Sequence, residues 1–435
     1  MSPEVVGIIG ILALFVLLAL RMYIGMAMAL VGFVGMCYVV GIPAGMASLG
    51  IVPMSEGSSY TLSVIPLFVL MGQFAFLSGV STDIYKTAYT WMGSFRGGLA
   101  MATIMACGGF AAICGSSLAT GATMAMVAIP EMDRYKYDPR LSTGCIAAGG
   151  TLGILIPPSI GFVLYGIITE QSIGKLFIAG LIPGVLLAGL FMAAIFLQCK
   201  IEPNMGPCGP STTLSEKIRS LKGTWGMLVL FGIVMGGIYL GIFTPTEAAG
   251  IGAFGAFLFA LFRKKITLAS FFQSLVETGK TTSMIFLIII GANILSCFLG
   301  LTKLPMELAD FIADLALPRM LILAAIIMIY IVLGCVMDCY AIMILTVPIL
   351  FPVIEALHFD PIWFGVLMVI VLEVGLITPP VGLNVFVIKG SIPDVPLTTV
   401  FLGIVPFLIA AILMIALISI FPEIVTFLPN RMIGH

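Results

Sequence analysis

The sequence predicts an all-α, polytopic membrane protein made of two copies of one structural unit, and three observations carry that prediction. First, 61% of the 435 residues are hydrophobic and only 9% are charged, whereas a soluble domain carries about 25% charged residues. Second, stretches such as 401–420 are apolar on every face, which excludes the in-out alternation of a membrane β-barrel and leaves helices as the spanning elements. Third, Gly and Pro landmarks recur at a nearly constant offset along the chain. Gly115 matches Gly334, Pro130 matches Pro348, Asp138-Pro139 matches Asp360-Pro361, Gly153 matches Gly375, Pro157-Pro158 matches Pro379-Pro380, and Pro183 matches Pro406, with offsets between 218 and 223. An internal repeat of this length marks a duplicated unit.

A hydrocarbon core about 30 Å thick needs about 20 apolar helical residues. The first copy supplies spans at 4–20, 24–41, 62–80, 141–169 and 176–198; the second supplies 225–242, 246–262, 281–300, 362–388 and 398–420. Residues 5–20 have the apolar core of a signal peptide, but Glu4 precedes them and Arg21 follows, so they are expected to stay as the first span. Between the third and fourth spans of each copy lies an apolar stretch too long for one helix and polar at its middle, 98–130 and 320–354. Each reads as a re-entrant hairpin. Spans 141–169 and 362–388 contain the double prolines and read as interrupted helices. The polar loop 199–224, with a short surface helix over Ser215–Leu221, separates a first repeat (1–198) from a second (225–435).

Five spans per copy is an odd number, so the second copy runs upside down relative to the first. Charge gives the same answer. Lys86, Arg96, Arg134, Lys136 and Arg140 flank the first hairpin, while Glu307, Asp310, Asp314, Glu355 and Asp360 dominate around the second. Short basic loops stay in the cytoplasm, which places the hairpins on opposite faces, the connecting loop inside and both termini outside.

Several functions are excluded. A net charge of -1 gives no general attraction for nucleic acid. The nine Cys lie almost entirely in apolar runs, where a small buried side chain is expected rather than a disulfide framework. Cys335, Asp338 and Cys339 are spaced like metal ligands, yet His358 and His435 are the only histidines, which argues against a transition-metal site and a metal-dependent enzyme. Gly279-Lys280-Thr281 lacks the first Gly of a phosphate-binding loop, since Ser274 stands in its place.

Inverted repeats with broken helices are the architecture of secondary transporters, where free backbone groups meet near the midplane. The chain offers four such breaks: "CGSSLATGAT" (114–123), "GCVMDCY" (334–340), "GGTLGILIPPS" (149–159) and "EVGLITPPVGLN" (373–384). A double Pro removes two amide donors and turns the preceding residue out of helical geometry, which frees carbonyl oxygens for a cation. Ser116, Ser117 and Thr120 add hydroxyls, and Gly115, Gly153 and Ile156 add carbonyls, to a first expected sodium site. Gly334, Gly375, Thr378 and Val381 occupy the matching places of a second. Helix starts beyond the breaks favour anions, so Ser159 and Asn384, together with Thr120 and Asp338, are candidate contacts for a carboxylate or sulfonate. Asp338 and Glu373 each need a partner, because an unpaired charge at mid-bilayer costs about 2.5–3.5 kcal/mol on insertion scales.

On "GSSLATGAT" with Pro130, "GGTLGILIPPS", "FDP" at 359–361 and "GLITPPVGLN", the chain resembles the large membrane subunit of the tripartite ATP-independent periplasmic (TRAP) transporters over roughly residues 4–420. The resemblance implies an elevator-type fold and two partners encoded elsewhere, a small four-helix membrane subunit and a periplasmic solute-binding protein. It implies a multi-pass location in the cytoplasmic (inner) membrane of a bacterium or archaeon. It also puts the sodium ligands on Ser116 and Ser117 with Gly153, Ile156 and Pro158, and on Gly334, Gly375, Thr378 and Val381. Val381 replaces the Met expected there, a tolerable change if the ligand is a carbonyl. Sodium-coupled import of a small organic anion is the leading expectation; a self-sufficient anion carrier or antiporter, without a binding protein, is the alternative.

Overall fold

Inside lipid a backbone must satisfy its own polar groups, and helices do this within one segment. The computed structural model describes residues 2–209, 212–314 and 317–431, and among these the regular structure is entirely helical. The first half contains α1 (Pro3–Ala19), α2 (Ile24–Val39), α3 (Ile42–Gly57), α4 (Val64–Leu77), α5 (Val80–Met92), α6 (Gly98–Cys114), α7 (Ser117–Arg134), α8 (Pro139–Leu155), α9 (Ile160–Ile168) and α10 (Ile173–Ile201). A short α11 (Leu214–Ser220) lies in the connecting loop. The second half contains α12 (Trp225–Tyr239), α13 (Pro245–Phe262), α14 (Leu268–Thr302), α15 (Leu304–Asp314), α16 (Arg319–Gly334), α17 (Cys339–Ala356), α18 (Pro361–Ile377), α19 (Leu383–Ser391) and α20 (Leu397–Ile420), with α21 (Glu423–Thr426) at the end.

The fold departs from the span-by-span expectation in three places. The span at 62–80 is only the second limb of a bent pair, α3 with α4, whose axes differ by 58°. The span at 281–300 is the end of a 35-residue helix, α14. Helices α5 and α15 precede the two hairpins as short connecting arms. All three differences arise where Gly, Pro or polar residues dilute the apolar signal, as in "VSTDIYKTAYTWM" of α5.

Two layers organise the helices. In one, α2 lies along α14 and α4 lies along α13. Small residues set the α2–α14 distance: a Cβ on Gly25 would stand 2.5 Å from the Leu287 carbonyl oxygen, and one on Gly32 would stand 2.7 Å from the Ile294 carbonyl carbon. Where no hydrophobic force draws helices together, such close backbone approach supplies the attraction. Arg263, at the end of α13, donates to the Ser78 carbonyl and pairs with Asp83, which ties α13 to the corner between α4 and α5.

The other layer is the core. Every residue of α8 from Leu141 to Leu155 and every residue of α18 from Ile362 to Ile377 is buried, as expected of helices wrapped on all sides. The hairpin arms α6 and α7 pack on α8, while α16 and α17 pack on α18. The contacts also cross between halves, with α7 against α19 and α17 against α9. Thr143 and Thr151 return their hydroxyl protons to carbonyls of their own helix, so α8 carries polar groups through the core without orphan donors.

Candidate functional site

Four breaks converge in this core, and local sequence accounts for each. Gly115 ends α6 with φ +63°, a left-handed conformation that suits glycine. Ser116 is then extended and caps α7, its Oγ accepting from the Ala119 N–H at 3.5 Å. Helix α8 stops at the double proline. Pro157 and Pro158 lack the N–H groups that would reach back four residues to the carbonyls of Gly153 and Ile154, so those two oxygens lose their helical donors. Ser159 restarts the chain as α9 by accepting the Phe162 N–H. In the second half, α16 gives way to α17 through a turn capped by Asp338, whose Oδ2 accepts the Tyr340 N–H at 3.1 Å. Helix α18 ends at an extended Thr378, and α19 resumes after Gly382, which has φ +63°.

The first hairpin tip docks directly on the α8 break. A Cβ at Gly153 would lie 2.5 Å from the Ser116 carbonyl oxygen and 2.7 Å from the Ser117 Cα, and one at Gly115 would lie 2.9 Å from the Pro158 carbonyl oxygen. Ser116, Ser117, Gly153 and Pro158 are thus brought together, with Ile156 in the same buried turn. In the second half a Cβ on Gly375 would meet the Gly334 Cα at 2.6 Å, so these two glycines touch backbone to backbone. Thr378 sits one turn beyond, and Val381 lies in the half-buried break.

Hydrogen bonding gives the two key hydroxyls the same character. Ser117 donates its proton to Glu373 Oε1 at 2.6 Å, across 256 residues of sequence. Thr378 donates its proton to the Val374 carbonyl at 2.6 Å. A hydroxyl has one proton and two lone pairs. With the proton committed elsewhere, each oxygen offers only acceptor capacity, which is what a hard cation requires. The carbonyls differ: Gly375 accepts from the Thr378 N–H, whereas the matching Ile156 N–H donates to the Leu152 carbonyl instead of to Gly153.

The substrate candidates divide into two pairs. Ser159 and Asp338 are engaged as helix caps. Thr120 is fully buried and its Oγ1 has no partner among the described residues, and Asn384 is 2% exposed with neither amide atom paired. Buried amides are normally hydrogen-bonded, so Thr120 on α7 and Asn384 on α19 present unspent polar capacity where those helices pack. Glu373 is 2% exposed, and its Oε2 is likewise unpaired. One residue at the centre escaped the sequence reading. Tyr340, buried just after the second tip, donates its hydroxyl to the Gly115 carbonyl at 3.4 Å and so joins the two tips. Its only sequence signal is an aromatic hydroxyl next to a helix break.

Residues 11–424 match the family model described as the tripartite ATP-independent periplasmic transporter, DctM component. The C4-dicarboxylate TRAP transporter large permease protein of Pseudomonas aeruginosa is 38% identical over 390 residues, covering 89% of this chain and 90% of that protein. The sialic acid TRAP transporter large permease protein of Vibrio cholerae is 32% identical over 378 residues, covering 87% and 88%. The crystal structure of the Alcanivorax borkumensis YdaH transporter aligns with a TM-score of 0.64 at 15% identity, covering 90% of each chain; at that identity the likeness speaks to fold.

Proposed function

The chain belongs to the TRAP transporter family as its large permease, DctM-type component, and on that premise we propose that it imports a small organic acid at the expense of a sodium gradient. It is a multi-pass inner-membrane transporter subunit. The substrate class follows the relatives, whose names specify a C4-dicarboxylate and a sialic acid; all such solutes are carboxylates at neutral pH. The observation that carries sodium coupling is the matched pair of hydroxyls, Ser117 and Thr378, each with its proton donated away and each beside a double-proline break.

In this reading Ser116, Ser117, Gly153, Ile156 and Pro158 hold one sodium ion. Gly334, Gly375, Thr378 and Val381 hold another. Thr120 and Asn384, with Ser159 and Asp338 at the helix starts, face the acid. Two ions suit the energetics. Moving one charge through 100 mV is worth about 2.3 kcal/mol, so a monoanion entering a negative interior is opposed by that amount. Two sodium ions per monoanion reverse the sign, and two per dianion make the step electrically neutral.

The residues divide into an inverted pair of repeats, 1–198 and 225–435, joined by 199–224. The hairpins and broken helices, α6–α9 and α16–α19, move as one body against the layer built on α2, α4, α13 and α14. A small four-helix membrane subunit and a periplasmic binding protein complete the system. The test is solute uptake into proteoliposomes holding all three components. Ser117→Ala and Thr378→Ala are each expected to raise the sodium concentration for half-maximal uptake several-fold. Unchanged sodium dependence in both variants overturns the assignment, and full uptake by the chain alone supports a self-sufficient carrier instead.

A further inference from the structure

Between the first hairpin and α12 the fold leaves an apolar cavity of about 490 Å³, which reaches the first break only through Ile156. Met105 and Gly108 of α6 form one wall, Ala188 of α10 a second, and Leu228 and Phe231 of α12 a third. Leu221 and Thr224, at the end of the connecting loop, line its end. The loop is fastened there: Thr87 Oγ1 donates to the Ser220 carbonyl at 3.0 Å, Trp91 Nε1 to the Lys217 carbonyl at 3.2 Å, and Thr212 Oγ1 to the Thr90 carbonyl at 2.6 Å.

We propose that this cavity binds an anionic phospholipid, one acyl chain lying among α6, α10 and α12 and the phosphate resting on the basic end of the connecting loop. Position and charge both favour that occupant. Trp225, which opens α12, is 61% exposed, and tryptophans at such sites mark the membrane interface. Lys217 and Arg219 on α11 and Lys222 in the turn that follows lie within four residues of Leu221, and no ion pair among the described residues engages them. The nearby carboxylates are committed elsewhere, Asp83 to Arg263 and Glu216 to the Thr213 cap. A basic rim over an apolar slot between membrane helices is the chemistry that selects acidic headgroups. A neutral lipid gains only the slot, and a free phosphate gains only the rim. Because α6 packs on α8 in the core and α12 packs on α13 of the other layer, the bound chain fills the seam between them.

The test uses the purified full chain in mixed micelles, with retained lipid counted by native mass spectrometry during titration with phosphatidylglycerol or phosphatidylcholine. The wild-type chain is expected to hold one phospholipid and to prefer phosphatidylglycerol by about thirtyfold, the scale of two basic residues near a headgroup. Arg219→Glu with Lys222→Glu is expected to abolish the preference while lipid retention persists. Ala188→Phe is expected to lower retention of both lipids by filling the slot. The proposal is overturned if the wild-type chain shows no preference, if the charge reversal leaves the preference intact, or if filling the slot changes nothing. It is also overturned if the assembled complex shields the thiol of Ala188→Cys from labelling while holding no lipid there, which would assign the cavity to a partner helix.

Discussion

The two break-and-hairpin regions are written with the same sequence devices and fold into different objects. In the first, the tip is a two-residue turn, the Ile156–Ser159 break is buried throughout, and α6 and α7 lie along each other. In the second, the turn spans 335–338, Val336 is 63% exposed, Pro379 and Pro380 are exposed, and α17 leans on α15 more than on its own partner α16. The first tip is also tied across the halves, by Ser117 to Glu373 and by Gly115 to Tyr340. A double proline beside a hairpin therefore fixes where carbonyls are freed, while the neighbours decide whether that place is closed. Changes at the first region should act through packing, and changes at the second through access.

The sharpest way to break this comparison is Gly153→Ala. The added Cβ meets backbone, 2.5 Å from the Ser116 carbonyl oxygen, and backbone cannot swing aside as a side chain can. Overpacking of this kind costs about 1–3 kcal/mol, so a lower unfolding temperature and uptake near background are expected. Gly121→Ala is the control: its nearest neighbour would be 3.9 Å away, at the Gly150 Cα, and near-normal uptake is expected. Equal behaviour of the two variants would mean that the tip is not seated on α8.

Next in size is Glu373. Replacement by Leu strands the buried Ser117 hydroxyl and is expected to cost about 1–3 kcal/mol, the penalty for an unsatisfied buried polar group. Glu373→Gln keeps an acceptor for Ser117 and should cost less, while still raising the sodium requirement for uptake. A double-mutant cycle with Ser117→Ala, read by thermal unfolding, should show coupling, because residues sharing a hydrogen bond do not behave additively. Strict additivity would remove Glu373 from the site.

How much of this was legible beforehand depends on range. The breaks were, since Pro157-Pro158 and Pro379-Pro380 act on the carbonyls four residues earlier within the same helix. So were α1 and α2, expected at 4–20 and 24–41 and found at Pro3–Ala19 and Ile24–Val39. Helix α3, with Pro43, Gly45, Gly50 and Pro53, was not, because its composition resembles a loop while its helical state depends on packing against α2 and α14. The partner of Glu373 was not legible either. The sequence shows that a buried carboxylate needs one, but only the tertiary fold brings Ser117 to it. The unequal exposure of the two regions is likewise a property of neighbours, of α15 against α17 in particular, that no local motif encodes.

The smallest expected effect belongs to Tyr340→Phe, and it bears most directly on whether the two regions communicate. The phenol donates to the Gly115 carbonyl over 3.4 Å, a long hydrogen bond, so its removal falls at the low end of the usual 0.5–1.5 kcal/mol. The ring stays, and with it the packing. Global stability should scarcely change, but the link between the tips is cut. If the second region controls access to the first, Tyr340→Phe should speed the exchange of solute across loaded proteoliposomes while leaving the sodium requirement near that of the wild-type chain. An altered sodium requirement at unchanged exchange rate would instead place the tyrosine in the cation site, through the carbonyl it touches.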